Sequence, residues 1–343
     1  MKIVFILPGG GHSGGVRCTV IAANHLLDRG HKVRIFYGKE PGAVLRNTFN
    51  RLVYNSHSNW LKDFRGPLIE YRDIVQCKFC PDEIVVSVGM WCSAQLGRLN
   101  DMCNPKLQYI HGLTPWMPQV MDKALSLPLP KIAVSSQVAE GIKAYHNGNS
   151  LTIIHNGIDQ AEYYPSVCET YRDGVGTIYS SHPAKDPETV LGALRKLREE
   201  LPDVPQYVFG TGSRPRGILK SNYKRYPSLE EARYRYSRSM VWILASRSEG
   251  FPAPVLEAMA CGCAVVATDC GGPGDIIIDG GNGFLVDVGD VEQIVDRVKL
   301  LLNNADLRRR FVERSKKTIE RFTWDSSIDK LEAVLRSLNG ASH

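Results

Sequence analysis

The sequence predicts an α/β protein of two domains, each built on a doubly wound parallel sheet. Its 343 residues are too many for one ordinary hydrophobic core and suggest two domains of about 150 to 180 residues each. Short apolar runs alternate with helical stretches along the chain, as in parallel βαβ units. Glycine-rich turns follow several of these runs, where the backbone can approach a ligand and helix N-termini favour an anion.

The domain boundary is expected near Pro165, which gives a first domain of residues 1–165 and a second of residues 166–325. Positive charge is slightly concentrated in the first domain, which has 17 Lys and Arg against 12 Asp and Glu, in a chain of formal net charge +6. This bias is compatible with an anionic acceptor or an anionic membrane surface and is too weak to demand either. Nucleic acid is disfavoured as a partner.

The N-terminus and the cysteines bear on where the protein works. Residues 1–8 (MKIVFILP) predict a buried strand rather than a signal peptide, and no apolar run approaches the roughly 20 residues that span a bilayer. The odd count of nine cysteines argues against a disulfide framework. Cys77 and Cys80 have the spacing of half a zinc site, but no second pair follows them. We therefore expect a cytoplasmic protein, at most peripheral to a membrane, without a metal site.

The first domain is predicted to open with a strand, a glycine loop and a helix, at residues 2–8, 9–15 and 16–29. Gly14 and Gly15 let the backbone come close to a ligand at the helix N-terminus, so a diphosphate or an acceptor nucleophile would fit there. The pattern is not G-x-G-x-x-G, and no acid follows the next strand, at 32–37, at the usual ribose position. A dinucleotide site is therefore only weakly supported.

Four later strands of the first domain are predicted, at residues 83–88, 106–110, 131–134 and 151–154. His111 directly follows one of them and precedes Gly112, at the carboxyl end of a strand where open α/β sheets bind ligands. A lone histidine is more often a satisfied structural residue. From the spacing alone, both interpretations of His111 stay open.

The second domain is predicted to repeat the alternation, with strands at 176–179, 206–209, 240–245 and 263–267 and helices at 188–200, 253–261, 291–302 and 305–321. The loop after its first strand carries Lys185, and the turn after its second strand carries Gly210 and Gly212, which can face a nucleotide. Residues 214–238 are basic and rich in tyrosine, including Tyr226. Arginines alternating with aromatics more often cover a solvated helix face than bind nucleic acid.

The most informative stretch is 246–274, SRSEGFPAPVLEAMACGCAVVATDCGGPG. Glu249 lies in the loop before the helix at 253–261 and Glu257 lies within that helix, so the two carboxylates bracket a helix N-terminus. Backbone amides from this loop and from the glycine-rich turn at 268–274 can converge on an anion. One interpretation is a nucleotide-sized site. The other is a helix capped by a solvated acid, with a second acid on its exposed face.

The pattern E-G-F-P-x4-E followed by A-M-A-x-G-x2-V-x2-T-x2-G-G resembles the E-x7-E signature of retaining glycosyltransferases of the GT-B fold. It is most similar to family 4, the glycosyl transferases group 1. The resemblance implies two Rossmann-like domains that face a central cleft, with a final helix at 326–343 that crosses back to the first domain. It also implies metal-independent, retaining transfer of a sugar from a nucleotide diphosphate sugar, most often of the UDP or GDP type.

The resemblance also gives roles to residues of the second domain. It implies that Glu249 and the backbone amides of Gly250 and Phe251 face the donor sugar. Glu257 would accept hydrogen bonds from the ribose hydroxyls, and Lys185 would face the diphosphate. By the same analogy Tyr226 lies near the base.

In the first domain, the resemblance implies that the amides of Gly14 and Gly15 contact the donor phosphate and that His111 contacts the transferred sugar. The sequence departs from the family at one point, because the arginine that usually precedes the lysine by five or six residues is absent at Tyr179 and Ser180. Three arginines are candidates to replace it: Arg17, Arg214 and Arg247.

Two alternatives to a glycosyltransferase remain open on the sequence. A GT-B epimerase or phosphorylase would use a similar site, the first without forming a glycoside and the second with free phosphate. A glycosyltransferase-like binding protein that has lost turnover is favoured by the missing arginine. The base, the sugar, the acceptor (glycan, lipid-linked or small molecule) and the oligomeric state do not follow from the sequence, because backbone contacts and loop shapes determine them.

Overall fold

The structure, a computed structural model, describes residues 1–11, 13–39, 59–99, 102–145 and 148–340. The chain packs as two units, residues 1–157 together with 324–343 and residues 158–323. We call them the first and the second domain. The sequence had placed the boundary at residue 165 and the start of the returning segment at residue 326.

Seven parallel strands form the sheet of the first domain within the described residues: β1 (Lys2–Leu7), β2 (Lys32–Gly38), β3 (Leu68–Tyr71), β4 (Glu83–Val88), β5 (Lys106–Ile110), β6 (Lys131–Ala133) and β7 (Leu151–Ile153). Their order is β3-β2-β1-β4-β5-β6-β7. The strand order reverses beside β1, and sheets of this kind bind ligands at the carboxyl ends of the strands around such a reversal. All six residues of β4 are buried, as expected for a strand covered by helices on both faces.

Four helices connect these strands in the part of the domain that the structure describes: α1 (Gly14–Asp28), α2 (Met90–Gln95), α3 (Pro118–Leu125) and α4 (Ser136–Lys143). α1 begins at Gly14 and not at residue 16, where the sequence placed its start. The reason is the side chain of Ser13, whose Oγ accepts a hydrogen bond of 3.3 Å from the backbone N–H of Val16 and caps the helix. Gly14 and Gly15 therefore belong to the first turn of a helix and not to the loop before it. Residue 12 of that loop lies outside the described residues.

The sheet of the second domain has six parallel strands, β8 (Gly174–Ile178), β9 (Gln206–Gly210), β10 (Tyr223–Arg225), β11 (Ser239–Leu244), β12 (Ala264–Thr268) and β13 (Phe284–Val286). Their order is β10-β9-β8-β11-β12-β13. The helices are α5 (Pro187–Glu200), α6 (Leu229–Arg238), α7 (Ala253–Ala260), α8 (Val291–Asn303) and α9 (Ala305–Ile319). Both domains are thus Rossmann-like α/β domains, and the predicted fold class is confirmed.

The last helix, α10 (Trp324–Gly340), packs on α1 within the first domain. Arg29, at the end of α1, donates hydrogen bonds to Asp329 (2.6 Å) and Glu332 (3.1 Å). His31 Nε2 lies 2.9 Å from Glu332, and Arg336 donates to the same carboxylate. These partners, Arg336 first, lower the pKa of Glu332 to about 2. No helix of the described residues is long and apolar enough to cross a membrane.

Candidate functional site

Three neighbouring strands of the second domain end at one edge of its sheet. β8, β11 and β12 are adjacent and parallel, so the loops that follow them lie at the same edge. The first two loops lead into α5 and α7, and the third leads into a short 3-10 turn, Gly272–Asp275. This edge carries Lys185, Glu249, Gly250 and Phe251, which the sequence predicted as site residues.

The structure brings Lys185 and Glu249 together from two of these loops. Lys185 Nζ lies 2.7 Å from each carboxylate oxygen of Glu249. Ser246 Oγ donates a further hydrogen bond of 2.7 Å to Glu249 Oε1. Glu249 is 7% exposed, whereas 43% of the Lys185 side chain is exposed. The carboxylate is therefore held from two sides, and the ammonium group that binds it is accessible to a ligand.

A second ion pair joins the same two loops. Arg247 Nη2 lies 3.2 Å from Asp186 Oδ1. The backbone N–H groups of Arg247 and Ser248 both donate to the carbonyl of Ala184, at 2.9 and 3.3 Å. Asp186 is 2% exposed, adopts a left-handed φ of 43° and caps α5 through the backbone N–H of Thr189. The loops after β8 and β11 are thus linked by two backbone hydrogen bonds and two ion pairs.

The glycine-rich turn after β12 packs directly on the Glu249 loop. The backbone N–H of Gly272 donates to the carbonyl of Glu249 (3.0 Å), and the backbone N–H of Glu249 approaches the carbonyl of Cys270 (3.4 Å). A Cβ at Gly272 would lie 2.6 Å from the carbonyl oxygen of Gly250, so no side chain fits there. The ring of Phe251 is 8% exposed and packs on Phe322 at 5.5 Å, so this side chain belongs to the core.

Glu257 lies on α7 and is 5% exposed. The hydroxyl of Tyr236, a fully buried residue of α6, donates a hydrogen bond of 2.8 Å to Glu257 Oε2. Burial first, and then the Glu257 carboxylate, raise the pKa of Tyr236 well above its usual value, so the hydroxyl keeps its proton and acts as a donor. Glu257 is therefore buried, and not on an exposed helix face as the alternative interpretation required.

Gly210 and Tyr226 lie side by side at the carboxyl end of β9. The backbone N–H of Tyr226 donates to the carbonyl of Gly210 at 2.8 Å. A Cβ at Gly210 would collide with the backbone oxygen of Tyr179, so close strand packing alone requires this glycine. Tyr226 has a φ of 50°, which is a strained conformation for a residue with a side chain. Nearby, Gly212 accepts a hydrogen bond of 2.7 Å from the Tyr223 hydroxyl.

In the first domain, His111 lies beside the N-terminus of α1. A Cβ built on Gly15 would be 3.4 Å from the Cβ of His111, and the His111 ring packs on Tyr109 at 4.4 Å. His111 Nε2 is buried and has no hydrogen-bond partner among the described residues. Burial lowers the pKa of His111 to about 4, so the ring is neutral at physiological pH. Gly14 is exposed and has open space where a Cβ would stand.

The three arginines that could replace the missing one lie in different surroundings. The guanidinium of Arg17 lies over the Trp60 ring in the first domain, 5.3 Å from its centroid. Arg214 donates to the backbone carbonyl of Ile218. Arg247 is next to the Lys185 loop, as described above. Of the three, Arg247 is the one that lies in the same loop as Glu249 and is hydrogen-bonded to the loop that carries Lys185.

The cysteines and carboxylates do not form a metal site in the part of the chain that the structure describes, where no three His, Cys, Asp or Glu side chains are grouped to hold an ion. Cys77 is buried in the apolar core, and Cys80 is exposed. Both are free thiols. Burial raises the pKa of Cys77 to about 11, which makes it a poor metal ligand at neutral pH.

Sequence reasoning missed three residues of this arrangement. Ser246 donates a hydrogen bond to Glu249, and Asp186 accepts one from Arg247. Tyr236 donates a hydrogen bond to Glu257. Ser246 and Asp186 could have been predicted from the sequence, since each lies within three residues of a predicted site residue and is of a type that forms local hydrogen bonds. Tyr236 lies 21 residues from Glu257 on another helix, so no local pattern connects the two.

Part of the second domain matches a known protein family. Residues 177–318 match the family described as "Glycosyl transferases group 1". An uncharacterized glycosyltransferase of Methanocaldococcus jannaschii is 26% identical over 215 residues, which are 60% of this chain and 58% of that protein. The chain spans about half the length of the curated relatives it matches.

Two solved structures share the fold of this chain over nearly its whole length. Sucrose-phosphate synthase of Thermosynechococcus elongatus superimposes with a TM-score of 0.77 at 16% identity, covering 99% of this chain and 100% of that one. HepE of Anabaena, in complex with UDP, superimposes with a TM-score of 0.77 at 17% identity, covering 98% of this chain and 100% of that one. The chain therefore has the GT-B fold, and its second domain matches the group 1 glycosyltransferases over residues 177–318.

Proposed function

We propose that the protein transfers a glycosyl group from a nucleotide diphosphate sugar to an acceptor, with retention of configuration at the anomeric carbon. The observation that carries this proposal is the contact of Lys185 with Glu249, in the loops that follow two adjacent strands. Loops at this edge of a doubly wound sheet are where such sheets bind ligands. Both residues lie within the stretch that matches the group 1 glycosyltransferases.

Departure of the nucleoside diphosphate places growing negative charge on its phosphates, and a fixed cation stabilises that charge. Lys185 is such a cation, because its loop is held to the Glu249 loop by hydrogen bonds. We propose that the donor diphosphate displaces Glu249 from the ammonium group. Glu249, still held by Ser246, then accepts a hydrogen bond from a hydroxyl of the donor sugar.

Retention is proposed to arise by attack from the face that the diphosphate leaves. The acceptor oxygen bonds to the anomeric carbon, the bond from that carbon to the diphosphate oxygen breaks, and a phosphate oxygen takes the acceptor proton. Glu249 positions the sugar and does not act as a nucleophile. His111 is neutral, as its lowered pKa requires, and would donate or accept a hydrogen bond at the sugar.

The nucleoside is proposed to bind beside Glu257 and Tyr226. Glu257 is oriented by the Tyr236 hydroxyl and would accept hydrogen bonds from the ribose. Tyr226, with its strained backbone next to Gly210, would lie near the base. HepE was solved with UDP, so UDP sugars are the first donors to test.

The experiment incubates the protein with UDP and GDP sugars, with and without a panel of acceptors, and follows nucleoside diphosphate release. Wild-type protein should release it in an acceptor-dependent way, Lys185→Ala should not, and Arg310→Ala, a change on an exposed face of α9, should behave as wild type. Release should persist in EDTA, because amides and Lys185 carry the charge. Epimerised nucleotide sugar, or turnover only with free phosphate, would favour the epimerase or the phosphorylase. Binding without turnover would favour the inactive binding protein.

A further inference from the structure

We propose that Arg247 supplies a second positive charge to the donor diphosphate, beside Lys185. This inference rests on the proposed function, because it concerns the leaving group of that reaction. A nucleoside diphosphate carries more than one negative charge on adjacent phosphates, and one ammonium group is a single point charge. The loop after β8 has no arginine before Lys185.

Backbone hydrogen bonds fix Arg247 next to Lys185. The N–H groups of Arg247 and Ser248 converge on one carbonyl, that of Ala184, the residue before Lys185. Lys185 in turn binds Glu249, two residues beyond Arg247. The two cations therefore stand on loops that cannot separate without breaking these contacts.

The guanidinium of Arg247 is anchored at one end and accessible at the other. It binds Asp186 Oδ1 at 3.2 Å, and Asp186 is itself buried at the N-terminus of α5. Yet 57% of the Arg247 side chain is exposed. A guanidinium has five N–H donors in a planar fork that matches phosphate oxygens, so donors remain for a ligand after one has bound Asp186.

The charges on the two loops sum to zero without a ligand, because Lys185 and Arg247 are matched by Glu249 and Asp186. Asp186 is buried and caps a helix, so it stays paired with Arg247. Lys185, in contrast, pairs with Glu249, whose carboxylate can accept a hydrogen bond from the donor sugar instead. When the diphosphate takes Lys185, its second phosphate still needs a donor. Arg247 can supply it, because its loop is hydrogen-bonded to the Lys185 loop and most of its side chain is exposed.

A purely structural role makes a different prediction. If Arg247 only neutralises Asp186, then Arg247→Gln and Asp186→Asn should both change stability and leave diphosphate affinity alone. If Arg247 binds phosphate, the two changes should act in opposite directions on diphosphate affinity. Asn retains the oxygen that caps α5, tolerates a left-handed φ and removes the charge that competes for Arg247.

The test measures binding of uridine, UMP and UDP, and of the guanosine series, by calorimetry at two salt concentrations. We expect Arg247→Gln to weaken diphosphate binding about tenfold or more, because hydrogen bonds between charged groups are lost, and to leave nucleoside binding within about twofold. Arg247→Lys should restore part of the loss. Asp186→Asn should bind the diphosphate more tightly than wild type, and Arg310→Ala should match wild type.

The outcomes separate this inference from the proposed function. Unchanged diphosphate affinity in a folded Arg247→Gln protein would overturn the inference and leave the proposed function standing. Equal loss of nucleoside and diphosphate affinity would also overturn it, because the effect would then be structural. If wild-type protein binds no nucleoside diphosphate, the proposed function itself fails. If Arg247→Gln does not fold, the diphosphate affinities of Arg247→Lys and Asp186→Asn decide instead. Unchanged affinity in both would overturn the inference.

Discussion

In the proposed function, the Lys185 side chain has one partner in the free protein and another when the donor binds. In the free protein it binds both oxygens of a buried carboxylate. Glu249 is 7% exposed, so loss of Lys185 would leave the Glu249 carboxylate buried without its cation. Among the side chains of the second domain, Ser246 would remain as its donor. The same ammonium group, which is half-exposed, is free to exchange partners when an anion arrives.

We predict that Lys185→Ala lowers turnover by about a hundredfold or more and changes nucleoside binding much less, because the charge that Lys185 stabilises grows as the diphosphate leaves. The measurements are kcat with saturating donor and calorimetry with the nucleoside and its diphosphate. Thermal unfolding provides the control, since the unpaired Glu249 should also lower Tm. Equal losses for nucleoside and diphosphate would place Lys185 away from the phosphates.

For Glu257, we predict that Glu257→Ala weakens nucleotide binding by on the order of 2 to 3 kcal/mol, because it removes the carboxylate that we propose accepts two ribose hydroxyls. Tyr236→Phe is the matched variant, since it keeps the packing and removes the hydroxyl that orients Glu257. It should cost less affinity, about 1 kcal/mol. Unchanged nucleotide affinity in Glu257→Ala would rule out the ribose assignment.

At the scale of elements, the long buried strands could be predicted from the sequence. The runs at 83–88 and 106–110 coincide with β4 and β5, because strands covered on both faces are continuously apolar. β3, β10 and β13 were missed, since each has only three or four residues, too few to show a pattern typical of a strand. The start of α1 was placed too late because glycines normally indicate a loop, and the Ser13 cap outweighs that preference.

The sequence predicted which residues form the candidate site, but not how they pair with one another. The E-x7-E pattern placed Glu249 and Glu257 about a helix N-terminus from local spacing alone. The pairing of Lys185 with Glu249 spans 64 residues, and that of Tyr236 with Glu257 spans 21. Contacts of this kind depend on which strands become neighbours in the sheet, which local patterns do not encode.

The packing of the glycine turn on the Glu249 loop yields a prediction about an element. Gly272→Ala should destabilise the second domain by about 1 to 3 kcal/mol, because its Cβ would overlap the Gly250 and Glu249 carbonyls and push the two loops apart. Gly274→Ala is the control, since nothing lies within 4 Å of a Cβ there. Chemical denaturation measures both variants. Equal stability of the two would show that the turn can shift without cost.

At the scale of the molecule, two Rossmann-like domains divide the candidate residues between them. The second domain holds the proposed donor residues Lys185, Glu249 and Glu257, whereas His111 and the start of α1 belong to the first. The match to the family model covers residues 177–318, which lie within the second domain and include these three residues. In the proposed function, residues that bind the acceptor are therefore to be sought first among residues 1–157.

The dependence of the whole enzyme on pH tests the proposed mechanism, since that mechanism has no general base to titrate. Burial lowers the pKa of His111 to about 4, so we expect kcat/KM to vary gently from about pH 6 to 9. The unfolded chain takes up a proton at this histidine below about pH 6.5, whereas the folded chain resists protonation until about pH 4. Stability from this group is therefore present at neutral pH and is lost as the pH falls.

The matched variant is His111→Gln, which cannot titrate. Between pH 7.5 and pH 5, wild-type protein should lose about 1 kcal/mol more unfolding free energy than the variant. This is less than the full shift implies, because His111 as a whole residue is only half-buried. Denaturant titrations of both proteins at each pH measure this difference. A rate that rises with an apparent pKa near 6.5 in wild type and is flat in His111→Gln would instead make His111 a general base and contradict the proposed mechanism.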